Sequence, residues 1–321
     1  SFHHFPLPFP PSLLATAPTT TPTIMATPPT TARTRRMHRL VAHLLLPQPT
    51  TTVQRPHTIL ITGITAGLGR ALALEFAKLG HTIVGCGRRQ GRLDELHHEL
   101  KRIGCHHVLC QCDVANQDSA KAFANHILHE QNIIPDIVFA NAGIAIPPSP
   151  LWEVQEQDFK RIFDINVHGV FHILKYFLPD VLAASRVHGA TYKRILATSS
   201  GLGHSTSPIL GAYSATKFSV EALLKSVAQS LTTESNIGAW PFAPGVIQTE
   251  MMTNKNCPTA SEWAQDAAPY ILSLGCNPNS PSGSSVSVPG YYSSEYMATW
   301  VLKDGQQLPG AVVAPFVAKK R

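Results

Sequence analysis

From His57 onward the sequence predicts one α/β domain, a doubly wound parallel sheet of about seven strands with helices on both faces. Two observations predict it. Short apolar runs alternate with longer segments of helical period, as successive β-α units require. The 321 residues, 44% of them hydrophobic, are also enough for one sizeable core of ordinary composition. The candidate strands are Thr58–Thr62, Thr82–Cys86, His107–Gln111, Asp136–Ala140, Arg194–Thr198, Ile237–Phe242 and Ala311–Ala314, and helical stretches lie near 67–79, 91–103, 117–131, 155–184 and 211–234, with a shorter one within 260–274. In such a sheet the ligand crevice lies at the carboxyl ends of the strands, so motifs there carry the most weight.

Residues 1–56 differ in texture. They hold 11 of the 26 prolines, many threonines and no acidic group, a composition that neither sustains a helix nor buries a core. Two readings stand: a disordered or upstream extension, or an Arg- and Thr-rich organelle transit peptide. The first places the protein in the cytoplasm, the second in mitochondria. Five of the six net positive charges lie in this tail. Arg33, Arg35, Arg36, Arg39 and Arg55 belong to it, leaving 21 basic against 20 acidic groups in the rest. A nucleic-acid surface, which needs clustered cations on a folded domain, is therefore not expected. The six cysteines form no CxxC pair and read as reduced thiols of an intracellular protein. No apolar run reaches the roughly 18 residues of a membrane span.

The first strand runs into Gly63-Ile64-Thr65-Ala66-Gly67-Leu68-Gly69 and then a helix. Glycines suit a tight strand-to-helix turn and let backbone amides approach a pyrophosphate, while the helix amino end supplies unpaired N–H groups and partial positive charge. Gly63, Thr65, Gly67, Leu68 and Gly69 are thus the candidate phosphate cradle of a dinucleotide. Their TGxxxGxG pattern resembles that of the classical short-chain dehydrogenase/reductase family, which implies a Rossmann-like fold and a nicotinamide cofactor.

Cofactor choice is read at the end of the second strand, where NAD-binding folds place an acidic residue on the adenosine ribose. Here nothing acidic lies between Glu75 and Asp94; the strand ends Cys86-Gly87-Arg88-Arg89. A guanidinium suits a 2′-phosphate, so NADP(H) is expected, with Arg88 as the reader. The resemblance further implies that Asp113 and Val114 meet the adenine, and that Asn141-Ala142-Gly143 is the family's NAG motif at the end of the fourth strand.

Tyr213-Ser214-Ala215-Thr216-Lys217 opens a long helical stretch, and the i, i+4 spacing puts Tyr213 and Lys217 on one face. A neighbouring ammonium, together with the positive nicotinamide of an oxidised cofactor, favours phenolate, so both should pull the tyrosine below its ordinary value of about 10 and fit it for acid–base work. Thirteen residues earlier stands Ser200, beside Ser199; its hydroxyl would stabilise charge on the substrate oxygen. The family spacing favours Ser200 over Ser199. The resemblance adds Asn166, which interrupts its helix and holds a water linking Lys217 to solvent. It also adds Pro244-Gly245-Val246-Ile247-Gln248-Thr249, in which Pro244, Gly245, Ile247 and Thr249 hold the nicotinamide end.

The chain is therefore expected to be an NADP(H)-dependent oxidoreductase that interconverts a small carbonyl compound and its alcohol, with Asn166, Ser200, Tyr213 and Lys217 catalytic. Two rivals stand beside it: a catalytically silent nucleotide sensor and a membrane-associated lipid ketone reductase. The resemblance implies a homodimer or homotetramer through the helices near 155–184 and 211–234. The texture of Gly87–Leu93 resembles that of members acting on small 3-hydroxy acids. No metal is expected; His168 and His172 read as helix surface. Residues 250–292, with Met251, Met252, Trp263 and Tyr270, read either as an apolar substrate wall with a lid or as a packed helix and loop. Pro241, inside the sixth candidate strand, should disturb the ladder there.

Overall fold

The computed structural model describes residues 55–232, 234–252, 257–276, 281–288 and 291. The candidate strand Ala311–Ala314 and nearly all of the 1–56 tail lie outside the described residues. Within them six strands form one sheet: β1 (Thr58–Thr62), β2 (Thr82–Gly87), β3 (His107–Gln111), β4 (Ile137–Ala140), β5 (Lys193–Thr198) and β6 (Ile237–Phe242). The order is β3-β2-β1-β4-β5-β6, every pairing parallel. The helices are α1 (Gly67–Lys78), α2 (Gln90–Ile103), α3 (Gln117–Asn125), α4 (Glu156–Phe163), α5 (Gly169–Ser185), α6 (Gly211–Ser230) and α7 (Ala260–Ser273).

The strands alternate between two cores. Ile59, Ile61, Ile83, Phe139, Trp240 and Phe242 face α1, α2 and α7. Leu60, Val84, Val138, Ile195, Ala197 and Ala239 face α3, α5 and α6. Burial on both faces makes each strand a nearly unbroken apolar run, which is why strand positions were legible from composition alone. The stretch near 117–131 contains a π turn at His126–Glu130 that was not expected, and the stretch near 155–184 contains one at Asp164–His168, where Asn166 was expected to interrupt the helix.

Pro241 does not disturb the ladder. In a strand a residue's N and C=O point to the same side, and the Pro241 carbonyl accepts from Val286 N at 3.0 Å on the side away from β5. The missing N–H therefore faces the 281–288 segment, whose Gly283 N donates to Ala239 O at 2.8 Å and whose Val286 O accepts from Ala243 N at 2.8 Å. That segment lies along β6; Val286 and Val288 are buried there. Trp263 and Tyr270 are likewise packed into the core under α7, so the packed reading holds for them, whereas Met251 and Met252 line the cleft described below.

At the opposite, amino-terminal edge of the sheet Asp136 joins three strands. It accepts from Thr58 N at 2.9 Å, Lys193 Nζ at 2.7 Å and the Thr191 hydroxyl, with His57 Nδ1 at 3.7 Å. Burial alone would raise its pKa, but these partners outweigh it and hold the carboxyl well below its usual range. Burial, helped by the nearby His57, lowers His81 to about 4. Both shifts are depressions, so their stabilisation is present at neutral pH and is lost on acidification. The His81 part disappears as pH falls from about 6.5 to 4, the Asp136 part below about 3.9. Asp136→Ala, which strands the buried Lys193, is expected to destabilise the fold by about 3 kcal/mol at pH 7 and to flatten the acid limb. Urea unfolding at pH 7 and pH 3 measures both.

Candidate active site

The carboxyl ends of the strands open into one cleft of about 470 Å³ at the point where the sheet order reverses between β1 and β4. Every candidate site residue lines it except Gly69 and Asn166, which lie behind its wall. At one end the chain turns from β1 into α1. Gly63 adopts φ +68°, and a Cβ there would stand 2.8 Å from Ala142 Cα, so both the conformation and the close approach require glycine. The first turn of α1 has no side-chain cap and no acidic residue. The helix thus begins at the cleft, lined by Gly67 and Leu68, with no side chain among the described residues capping its first N–H groups, which fits a pyrophosphate.

Beyond the cradle lies the end of β2. A Cβ at Gly87 would fall 2.5 Å from Thr65 Cγ2, so the threonine methyl occupies the space an acidic side chain there would need. Arg88 and Arg89 follow, both exposed on the rim. Arg89 faces Glu250 at 3.6 Å, a carboxylate it shares with Arg92. Among the described residues no carboxylate pairs with Arg88, whose carbonyl is held by Gln111 Nε2 at 3.0 Å. Of the two guanidinium groups, Arg88 is the one free to meet a phosphate.

Asp113 and Val114 continue this wall. The Asp113 carboxylate accepts from Ala115 N at 3.1 Å and shapes the turn. Sequence reasoning missed what holds Val114: His172, buried on α5, hydrogen-bonds Val114 O at 2.8 Å. His172 is thus committed to the backbone, and His168 instead contacts Asp164 at 3.1 Å, an i, i−4 acidic partner that the sequence contains. Among the described residues no group of three or more His, Cys, Asp or Glu side chains is placed to hold a metal ion. Asn141 is also committed. Its amide donates to Thr62 O at 2.9 Å and its carbonyl accepts from Thr198 Oγ1 at 3.0 Å, tying β1, β4 and β5 together. The threonines ending β1 and β5 were the missed signal.

The other end of the cleft collects Ser200, Tyr213 and Lys217. Tyr213 and Lys217 stand one turn apart on α6, with the ammonium 5.4 Å from the phenol ring centre and donating to Thr198 O at 2.7 Å. Ser200 lies beside the Tyr213 phenol, whose pKa it lowers, and its hydroxyl oxygen accepts from Leu202 N at 3.2 Å. Ser199 points elsewhere: its hydroxyl, 1% exposed, donates to Glu221 at 2.5 Å. Asn166 sits in the π turn, so its helix is interrupted there. It binds the Ile144 backbone in both directions at 2.8 and 2.9 Å and donates to Thr216 Oγ1 at 3.1 Å.

The electrostatics differ from the expectation. Burial raises the Tyr213 phenol to about 12, opposed by the neighbouring Ser200. Burial also lowers Lys217 to about 8. The ammonium is directed at the Thr198 carbonyl rather than at the phenol oxygen, so desolvation dominates both groups. A protonated tyrosine beside a lysine that releases its proton near pH 8 is suited to giving a proton. Apart from these, the charged side chains lining the cleft among the described residues are Arg88, Arg89, Asp113 and Glu250. Among the described residues the cleft is also lined by Ile144, Leu202, Leu210, Met252, Thr206 and Ser207, none of which is a spare cation for a 3-hydroxy acid's carboxylate.

The model of the short chain dehydrogenase family matches residues 57–259. An NADPH-dependent pterin aldehyde reductase of Arabidopsis thaliana is 39% identical over 231 residues, 70% of this chain and 91% of that one. A diacetyl reductase of Staphylococcus epidermidis is 29% identical over 194 residues, 60% of this chain and 72% of its own length. Among solved structures, an alcohol dehydrogenase from Thermococcus sibiricus, complexed with 5-hydroxy-NADP, shares the fold with a TM-score of 0.62 at 24% identity, over 74% of this chain and 98% of that one. With a family model spanning 57–259 and a 39% identical relative, the chain belongs to the short-chain dehydrogenase family of oxidoreductases.

Proposed function

We propose that the protein is an NADPH-dependent carbonyl reductase whose substrate is an aldehyde, a pterin aldehyde being the first compound to test. The observation that carries the reading is the continuity of one cleft. It runs from the free Arg88 guanidinium and the uncapped start of α1 to the Tyr213–Ser200 pair. The backbone amides of 65–69 would hold the pyrophosphate, Arg88 the 2′-phosphate, Asp113 and Val114 the adenine, and Asn141–Gly143 with Pro244–Thr249 the nicotinamide end. NADPH bound there supplies the hydride.

The chain's own residues manage the proton. Ser200 donates to the carbonyl oxygen, Tyr213 gives its phenolic proton to the oxygen as charge develops there, and Lys217 keeps a positive charge one turn away. Asn166 fixes the Ile144 backbone and Thr216 behind this group. The apolar walls with a few hydroxyls, and the absence of a spare cation among the described liners, suit a flat neutral substrate better than a carboxylate. Exposed Phe159, Phe171 and Phe218 on α4, α5 and α6 support a homodimer or homotetramer through those helices. No described helix is long and apolar enough to cross a membrane.

Following NADPH consumption with pterin aldehyde, diacetyl and simple ketones, and NADPH formation from NADP+ with 3-hydroxy acids, tests the reading. Turnover is expected with the aldehydes and not with the hydroxy acids. NADPH bound without turnover of any carbonyl would leave a nucleotide sensor in its place.

A further inference from the structure

We propose that Glu221 is a positioning residue: through Ser199, His204 and Ser285 it fixes the loop that presents Ser200 to the substrate oxygen. This rests on the role of Ser200 given above. Glu221 lies one turn beyond Lys217 on α6, on the face that also carries Tyr213, and is 3% exposed. One carboxylate oxygen accepts from Ser199 Oγ at 2.5 Å and from His204 Nε2 at 3.1 Å. The other accepts from the Ser285 hydroxyl and faces Lys225 Nζ at 3.2 Å. Burial raises its pKa, but the bonds from His204, Ser199 and Ser285 outweigh that and hold it at about 2, so the group is ionised.

A buried carboxylate on a helix is costly unless its partners need it. Neighbouring inward positions of α6, Val220 and Leu224, pack with apolar side chains. Glu221 differs in what converges on it: the residue immediately before Ser200 and the residue ending the Gly201–Gly203 turn immediately after it. A Cβ at Gly203 would lie 2.7 Å from Ser199 Oγ and 3.1 Å from Glu221 Cγ, so the loop is pressed flat onto the carboxylate. Ser199 N also donates to Phe242 O at 2.7 Å, which anchors the other side. Ser200 is therefore clamped on both sides, and an error of about 1 Å in such a group costs on the order of 100-fold.

Glu221→Gln keeps the volume but turns one acceptor into a donor; Ser199→Ala removes a single hydroxyl and serves if the first variant does not fold. Each is compared with Ser200→Ala in the full chain, using NADPH with the faster of pterin aldehyde and diacetyl. Both Glu221→Gln and Ser199→Ala are expected to lower kcat by about tenfold or more, with the Kd of NADPH within about twofold. The double variant should be no worse than the poorer single, because one linkage is broken twice. A lower Tm with unchanged kcat, or losses that multiply, overturns the proposal. Wild-type turnover by Ser200→Ala would instead overturn the reading on which it rests.

Discussion

Tyr213→Phe is expected to lower kcat for carbonyl reduction by about 10³-fold while NADPH binds with unchanged affinity, because a positioned general acid contributes on the order of 10²–10⁴. The substitution removes one oxygen and leaves the ring, the Lys217–Thr198 hydrogen bond and the Asn166–Thr216 contact in place. Burial keeps the phenol protonated, up to about 12, so proton supply for reduction should not fail at neutral pH. Lys217 sets the upper limit instead. Its pKa is lowered to about 8, so the ammonium is present below that pH and lost above it. The kcat of the wild type should accordingly be level up to about pH 8 and decline beyond, whereas the residual rate of Tyr213→Phe should not follow this profile. Steady-state kinetics with NADPH fluorescence titration checks both, and retained turnover in the phenylalanine variant would remove Tyr213 from the mechanism.

The fold and much of this site could be read in the sequence for a definite reason. Strands buried on two faces must be apolar throughout, and a dinucleotide cradle needs glycine at fixed steps, so both constraints act on residue identity directly. What could not be read depends on direction. Pro241 is tolerated because its nitrogen faces the 281–288 segment and not β5, which no composition reveals. His172 and Glu221 are types that usually lie at the surface, yet each is buried to hold a backbone or a loop, at Val114 and Ser199 respectively. Glu221 carried one usable signal: it falls at i+4 from Lys217, on the helix face already assigned to the site. In the protein alone the Tyr213 shift runs upward, which could not be read because spacing shows proximity to Lys217 but not burial. Desolvation is the larger effect here.

Arg88→Ala is expected to reduce kcat/KM with NADPH by about 30-fold, equivalent to about 2 kcal/mol for charge-assisted hydrogen bonds, and to leave the value with NADH nearly unchanged. The structure separates Arg88 from its neighbour. Arg89 already faces Glu250 across the rim, so its removal deletes a weak, solvent-exposed pair and should cost far less. Arg88 has no such carboxylate among the described residues, and its backbone is held by Gln111, so truncating the side chain should not move the turn. Because the guanidinium is exposed, the NADPH preference should weaken as salt rises, over the range where the Debye length falls below about 10 Å. Equal losses with NADPH and NADH would mean that Arg88 supports the β2–α2 turn rather than reading a phosphate. Discrimination would then fall to Gly87 and Thr65 alone. Those two residues leave no room for the carboxylate that an NADH-selective site places there, so NADH gains no acceptor for its ribose hydroxyls and the 2′-phosphate of NADPH meets no repulsion. The two contributions are therefore separable: the lack of a carboxylate at Gly87 survives Arg88→Ala, and attraction at Arg88 is what the variant removes.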